Sequence, residues 1–298
     1  MADIRVAMLV FSPGGNTLKA SDMAREAMIE RGLSVQMVDV TAAKVIPDRE
    51  RLRAFLLSEV KPHDLLMVGG PVYENRLDRH TMEIIRVLPR PEGPDGKTWG
   101  RLAAPFVTWG GVVSGISLYQ GAKLLRASGR KVVLALKVEG FHPFSVEWSY
   151  RLNEGMPGEE ALPVMKELAD RVAALSEAKP DRLKDITDKL NYAPPLIRLT
   201  GGFCSVVPTQ EYTFKDVKVD PEKCKACGVC VKRCPLDRLE IKDGRAQVKP
   251  GAPRCMHCYT CLCVCPNQAR FAGLKSMEKF LTVFKKRYAD KPPCVLYQ

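Results

Sequence analysis

The chain has no apolar run long enough to cross a bilayer. Its apolar opening stretch, Met1 to Phe11, breaks directly into Ser12-Pro13-Gly14-Gly15. A spanning helix needs about 20 consecutive apolar residues, so no transmembrane segment is expected. The break reads as a strand meeting its loop, not as the apolar core of a signal peptide. Nothing marks the chain for export, so a disulfide framework is not the expected use of its cysteines, and the cytoplasm is the expected address. Acid is the scarcer charge: 34 Asp and Glu stand against 46 Lys and Arg, a formal net charge of +12. Disorder is excluded by a hydrophobic fraction of 46%, and 298 residues leave room for two domains.

What the chain does have is cysteine in a repeated pattern. Eight of its 11 cysteines form Cys224-x2-Cys227-x2-Cys230-x3-Cys234-Pro235 and Cys255-x2-Cys258-x2-Cys261-x3-Cys265-Pro266. C-x2-C pairs also bind zinc, usually as two separated pairs per ion, and zinc is the competing reading. Three evenly spaced cysteines and a fourth followed by proline suit a four-iron cube better, because the three can wrap one cube from a tight loop. The pattern resembles the bacterial-ferredoxin run, and the resemblance implies two [4Fe–4S] clusters in which each fourth cysteine serves the other cluster. By that rule Cys224, Cys227, Cys230 and Cys265 hold one cluster, and Cys255, Cys258, Cys261 and Cys234 hold the second. Pro235 and Pro266 fix φ where the chain leaves each loop. Cys263 falls outside the ligand spacing and is expected to be buried filler. Cys204 and Cys294 stand alone and are expected to be structural.

The first half alternates strand and helix patterns. Strands are expected at Ile4–Phe11, Val35–Val40, Asp64–Gly69, Pro105–Trp109 and Lys131–Val138, with helices after Ser12–Thr17, over Pro47–Glu59 and over Ala161–Ser176. Such alternation implies an α/β fold with a doubly wound parallel sheet, whose ligands sit beyond the carboxyl ends of the strands. Three unusual loops fall there: Ser12–Thr17, Gly70–Leu77 and Trp109–Gly115. The first joins a strand to a helix start through glycines, the layout that offers backbone amides to a phosphate; a plain strand-to-helix turn has the same look.

This half resembles the flavodoxins, whose FMN-phosphate loop has the form Ser/Thr-x-Thr-Gly-Asn-Thr. The resemblance implies five strands and an FMN site in which Ser12, Gly14, Gly15, Asn16 and Thr17 take the phosphate. Gly14 stands where that family carries a threonine, which removes one hydroxyl donor and leaves the amides. Pro71, Val72, Tyr73 and Asn75, with Trp109, Gly110, Gly111 and Gly115, correspond to the two loops that sandwich the flavin ring. Tyr73 and Trp109 are the aromatic candidates for stacking on it, with ordinary core packing as the alternative for each.

The chain as a whole resembles flavodoxin-like proteins fused to a two-cluster ferredoxin domain, which implies an electron-transfer iron–sulfur flavoprotein. The divisions expected are a flavodoxin-like unit over 1–178, a linker over 179–211, an α+β ferredoxin-like domain over 212–275 and a helical tail over 276–298. The linker, with Pro180, Pro194, Pro195 and Pro208, reads as a semi-rigid extended spacer with one short helix over Asp181–Leu190. Phe141–Glu159, rich in aromatics, caps the flavin, docks the second domain or packs as a surface loop. Asp243-Gly244 marks a hairpin between Leu239–Ile241 and Ala246–Val248. In the tail Met277, Phe280, Leu281, Phe284 and Tyr288 share one helical face, which is expected to pack against the protein.

Residues 215–298 hold 18 basic and 8 acidic residues, so +10 of the +12 lies there. Two oxidised clusters with their thiolates remove about 4 units, and an FMN phosphate roughly 2 more. Much of the excess base therefore offsets the chain's own cofactors, and nucleic-acid binding is not expected. What remains favours a redox partner such as an acidic ferredoxin or an oxidoreductase. Three functions fit: electron carriage between FMN, the clusters and that partner, reduction of a small molecule by FMN fed from the clusters, or a redox sensor in which cluster state alters partner binding through the basic surface. For the second, Glu74, Asn75, Arg76, His80 and His142 are the polar candidates. Both a single chain and a homodimer allow the two units to face each other.

Overall fold

A computed structural model describes residues 4–91, 99–178, 182–206, 214–289 and 291–298. The first unit runs β1 (Arg5–Val10), α1 (Asn16–Glu30), β2 (Ser34–Asp39), α2 (Arg49–Glu59), β3 (Leu65–Tyr73), β4 (Arg76–Leu77), α3 (Arg79–Val87), β5 (Leu102–Trp109), α4 (Ser117–Ala127), β6 (Lys131–Val132), β7 (Ala135–Glu139) and α5 (Leu162–Ala174). Alternate residues of β1 explain the layering. Val6, Met8 and Val10 pack with Ala20, Ala24 and Met28 of α1 and Met165, Leu168 and Val172 of α5. Ala7 and Leu9 pack instead with residues of α2, α3 and α4, among them Leu56, Ile84 and Leu118. A strand apolar on both faces needs helices on both, and the sheet is parallel in the order β2-β1-β3-β5-β7. With the main strands counted in sequence, this is the 2-1-3-4-5 order of the flavodoxin-like fold.

Three features depart from the sequence expectations. The fifth strand is split into β6 and β7, both paired with β5. Between them the outer side of Val132 bonds Asp185 and Ile186, through its amide to the Asp185 carboxylate (3.0 Å) and its carbonyl from the Ile186 amide (2.9 Å). The linker is not a free extended spacer. Among its described residues the expected Asp181–Leu190 helix forms a 3-10 turn at Thr187–Leu190 and no α-helix, and α6 (Pro195–Val206) follows. Pro195 stands at the start of that helix, where the missing N–H would be unpaired in any case. Leu190 and Ile197 are buried, Leu190 within the main core. Of this stretch, Pro180, Asp181 and Pro208 lie outside the described residues, as does the Cys204 side chain.

The second unit comprises β8 (Lys218–Val219), α7 (Val229–Lys232), β9 (Leu239–Lys242), β10 (Arg245–Val248), α8 (Thr260–Cys263) and β11 (Arg270–Phe271), followed by α9 (Glu278–Tyr288) and β12 (Val295–Tyr297). β9 and β10 form the expected hairpin, with Asp243 and Gly244 both at positive φ. The third departure is β12, which returns to the first unit and adds an antiparallel edge strand against β7. The sheet thus gains a sixth strand on its main path beyond the expected five.

The stretch around Phe141–Glu159 docks the second unit. Phe144 packs edge-on against Phe214 and Tyr259 at 5.0 and 5.1 Å, and the Trp148 indole donates to the Leu274 carbonyl at 3.1 Å. The Glu147 carboxylate accepts from the amides of Ala272 and Leu274. In the tail, Met277, Leu281 and Phe284 pack on Val112, Trp148 and Leu152.

Candidate functional site

The cysteines converge on two cavities. Cys234, Cys255, Cys258 and Cys261 line one of about 100 Å³. Cys224, Cys227, Cys230 and Cys265 line a smaller one of about 20 Å³. Each fourth cysteine therefore joins the other run's three. The backbone carries the same repeat: Ala226 and His257, Gly228 and Tyr259, and Asp237 and Gln268 occupy matching places in the two runs, all at positive φ. Left-handed backbone at a non-glycine residue costs about 1 kcal/mol or more, and here it turns amides toward sulfur. Arg238 N–H donates to Cys234 Sγ at 3.5 Å, and its counterpart Ala269 N–H to Cys265 Sγ at 3.2 Å. His257 N–H donates to Cys255 Sγ at 3.4 Å.

Burial pushes the Cys258 thiol up to about 12 and raises Cys255 and Cys261 as well. Amides of Ala246 and Ala226 hold Cys224 below the usual thiol range. Burial thus favours the protonated form at Cys255, Cys258 and Cys261, and a bound metal ion would make such thiols thiolates. This donor set, soft sulfur with amides aimed at it, fits an iron–sulfur cluster. One mixed group, Asp216, Cys255 and His257, also brings ligand-type atoms within 4.8 Å of one another. It offers three atoms, and Cys255 already belongs to the sulfur set. Cys263 lines neither cavity, and burial raises its thiol to about 11. Cys294 is partly buried and raised by the same cause.

A third cavity, about 390 Å³, lies beyond the carboxyl ends of β3 and β5. Val72, Tyr73, Asn75 and Gly110 line it, as do Glu74 and His142; Phe280 and Phe284 of α9 form another wall, and Cys258 closes the inner side. Cys258 therefore borders this cavity and its own cysteine cavity. The other loop residues support the cleft without lining it. Trp109 is 3% exposed; its indole donates to the Pro293 carbonyl at 3.1 Å, and the Lys137 ammonium lies 5.1 Å from its ring. It packs against the C-terminal segment and is not among the residues lining the cavity. Gly115 is at φ +60, and a Cβ there would lie 2.0 Å from the Asn75 carbonyl. That closeness lets Ile116 N–H bond Asn75 at 2.7 Å and tie the two loops together. Pro71 accepts from the Asp78 amide, and Gly111 sits against Glu139 and Asn153.

The Ser12–Thr17 loop folds as a tight turn into α1. Gly15 N–H bonds the Ser12 carbonyl, and Leu18 N–H bonds Ser12 Oγ at 2.8 Å. Asn16 Nδ2 donates to the Phe141 carbonyl at 2.8 Å, and Thr17 Oγ1 pairs with Thr108 Oγ1 at 2.7 Å. Those side chains brace the loop, while the space around Gly14 is open. Thr260 of the second unit donates to the Pro13 carbonyl, and Arg233 Nη2 comes to 4.0 Å of where a Gly15 Cβ would stand. Neither residue was singled out from the sequence, where nothing in their spacing relates them to a loop more than 200 positions earlier. Of the remaining polar candidates, Arg76 pairs with Glu74 at 3.4 Å with both side chains mostly buried, and His80 packs on Phe11. Burial lowers His142 to about 4.

The comparisons agree with this geometry. Residues 216–266 match the 4Fe-4S dicluster domain family. No curated protein matches the chain. Among solved structures, rubredoxin oxygen:oxidoreductase from Desulfovibrio gigas aligns over 58% of this chain at 17% identity and a TM-score of 0.40. The chain covers 36% of that protein's length. An NADH:FMN oxidoreductase in its apo form aligns over 65% of this chain and 98% of its own, at 16% identity and a TM-score of 0.41. Two-electron reduced Megasphaera elsdenii flavodoxin aligns over 57% and 98%, at 19% and 0.34. With every one of those scores below 0.5, the fold assignment rests on the strand order. The chain joins a flavodoxin-like α/β unit to a 4Fe–4S domain.

Proposed function

We propose that the protein carries two [4Fe–4S] clusters and one FMN, and passes single electrons among them and an external redox protein in the cytoplasm. The observation that carries this reading is Cys258, which borders both the cleft at the strand ends and the cysteine cavity. Bound clusters and flavin supply one-electron redox chemistry, and the chain's part is to hold them close and set their potentials. Cys234, Cys255, Cys258 and Cys261 hold the cluster nearer the flavin. Cys224, Cys227, Cys230 and Cys265 hold the outer one, where Cys227 is exposed to solvent. Tyr73, Asn75 and Gly110 face the flavin ring, and the amides of Gly14 to Thr17 take its phosphate. Arg233 offers that phosphate a guanidinium, in place of the threonine hydroxyl that Gly14 lacks.

One chain brings both units together, so electron passage needs no second copy. The basic excess over 215–298 favours an acidic partner. The test is anaerobic mixing of the loaded protein with a reduced acidic ferredoxin. Flavin and cluster absorbance bleaching together, with a rate that falls as salt rises, is the expected result. Reoxidation that requires a small molecule and ignores the ferredoxin would instead favour an FMN-dependent reductase.

A further inference from the structure

Arg270 of β11 lines both cysteine cavities. It is 7% exposed, its Nη2 lies 3.6 Å from Cys230 Sγ, and its Nε has no hydrogen-bond partner. Among the described residues no carboxylate pairs with it. A guanidinium carries five donors and does not lose its charge in a protein. Burying one without a counterion is costly unless negative charge arrives from elsewhere. Its surroundings supply sulfur: Cys230 belongs to one set, and Cys261 and Cys234 line the second cavity beside it.

We propose that the Arg270 guanidinium is shared by the two cluster sites and raises the reduction potential of both. This rests on the two-cluster reading. Each cluster with its four thiolates goes from about −2 to about −3 on accepting one electron. A fixed and largely buried cation lining both sites stabilises the more negative state of either cluster. It also offsets the repulsion between the clusters once both are reduced, so that the second electron enters nearly as readily as the first. Hydrogen bonds to sulfur and nearby charge are the protein's means of setting such potentials, and Arg270 provides both from one side chain.

The test uses the full-length protein loaded anaerobically with iron and sulfide, with Arg270→Gln and Arg270→Lys as variants. Iron and sulfide per chain are measured first. Fewer than about eight of each in the unaltered protein defeats the two-cluster reading itself, separately from the role of Arg270. Dithionite titration with mediators, followed by electron paramagnetic resonance, then gives the potential of each cluster. The expected result is that Arg270→Gln lowers the reduction equilibrium constant of both clusters at least tenfold, about 59 mV for a one-electron couple. Arg270→Lys, which keeps the charge, stays near the unaltered values. Unchanged potentials in Arg270→Gln, or a shift in only one cluster, overturn the proposal. So does an equal shift in Arg270→Lys, which would make shape and not charge the cause. If Arg270→Gln fails to retain iron, Arg270→Lys decides: full iron with unaltered potentials upholds the charge role, and shifted potentials or lost iron overturn it.

Discussion

His63 sits just ahead of β3 with 2% of its surface exposed, its ring edge-on to Trp99 at 5.5 Å and its Nδ1 2.8 Å from the Lys61 carbonyl. Burial lowers it from 6.5 to about 4, and the nearby Arg130 charge adds to the effect. The unfolded chain therefore binds a proton more readily than the folded one between those values. Stability from this site is complete above about pH 6.5 and falls as pH drops toward 4, by up to about 3 kcal/mol. Urea unfolding at pH 7 and pH 5 should show about 2 kcal/mol of that loss, and His63→Gln should flatten the slope; an unaltered slope would place the acid sensitivity elsewhere. The ligand cysteines are the other residue-scale test. Cys227→Ala removes one thiolate from the outer set, and iron per chain should fall to about half or below. Full iron content would refute that assignment. The cysteine pattern was legible because four cysteines at one spacing, each run closed by proline, occur twice. The orientation of Trp109 was not legible. Its strand-end position leaves the side to be decided by Lys137 and the C-terminal segment, which only the fold brings near.

The mostly buried strands β1, β3 and β5, with glycines close to the carboxyl end of each, announced the main elements from sequence alone, since few other patterns are so continuously apolar. The elements that were missed depend on partners far along the chain. The split between β6 and β7 goes with Asp185 and Ile186, which take the bonds on the outer side of Val132. α6 was hidden because Pro194-Pro195 reads as a spacer until Pro195 proves to start a helix. β12 is only 3 residues long, too short to signal a strand without β7 beside it. Its importance can be measured. Leu296 packs against the core beside α5, and the Tyr297 ring stacks on Tyr192 at 5.3 Å and 6°. Removing Val295–Gln298 uncovers both contacts and the edge of β7, and should destabilise the first unit by roughly 2 to 4 kcal/mol. An unchanged urea midpoint would show that β12 is a passive tail.

At the scale of the whole molecule, the second unit lies across the loops of the first. Phe144, Glu147 and Trp148 of the first unit contact it, its own Thr260 donates to the Pro13 carbonyl, and β12 returns the chain to the sheet. This arrangement places a cysteine of the inner set on the wall of the cleft where flavodoxin-like folds take their ligand. Among the described residues no helix is long and apolar enough to cross a membrane. The likeness to two known families was legible in the sequence, but the contact between their sites was not, because it is made by Cys258, Arg233 and Thr260 meeting loops far away in the chain. The most direct test of the account is the content of iron, acid-labile sulfide, FMN and zinc per chain after purification without air. About eight iron, eight sulfide and one FMN are predicted; a folded, colourless protein holding zinc and no flavin would contradict it.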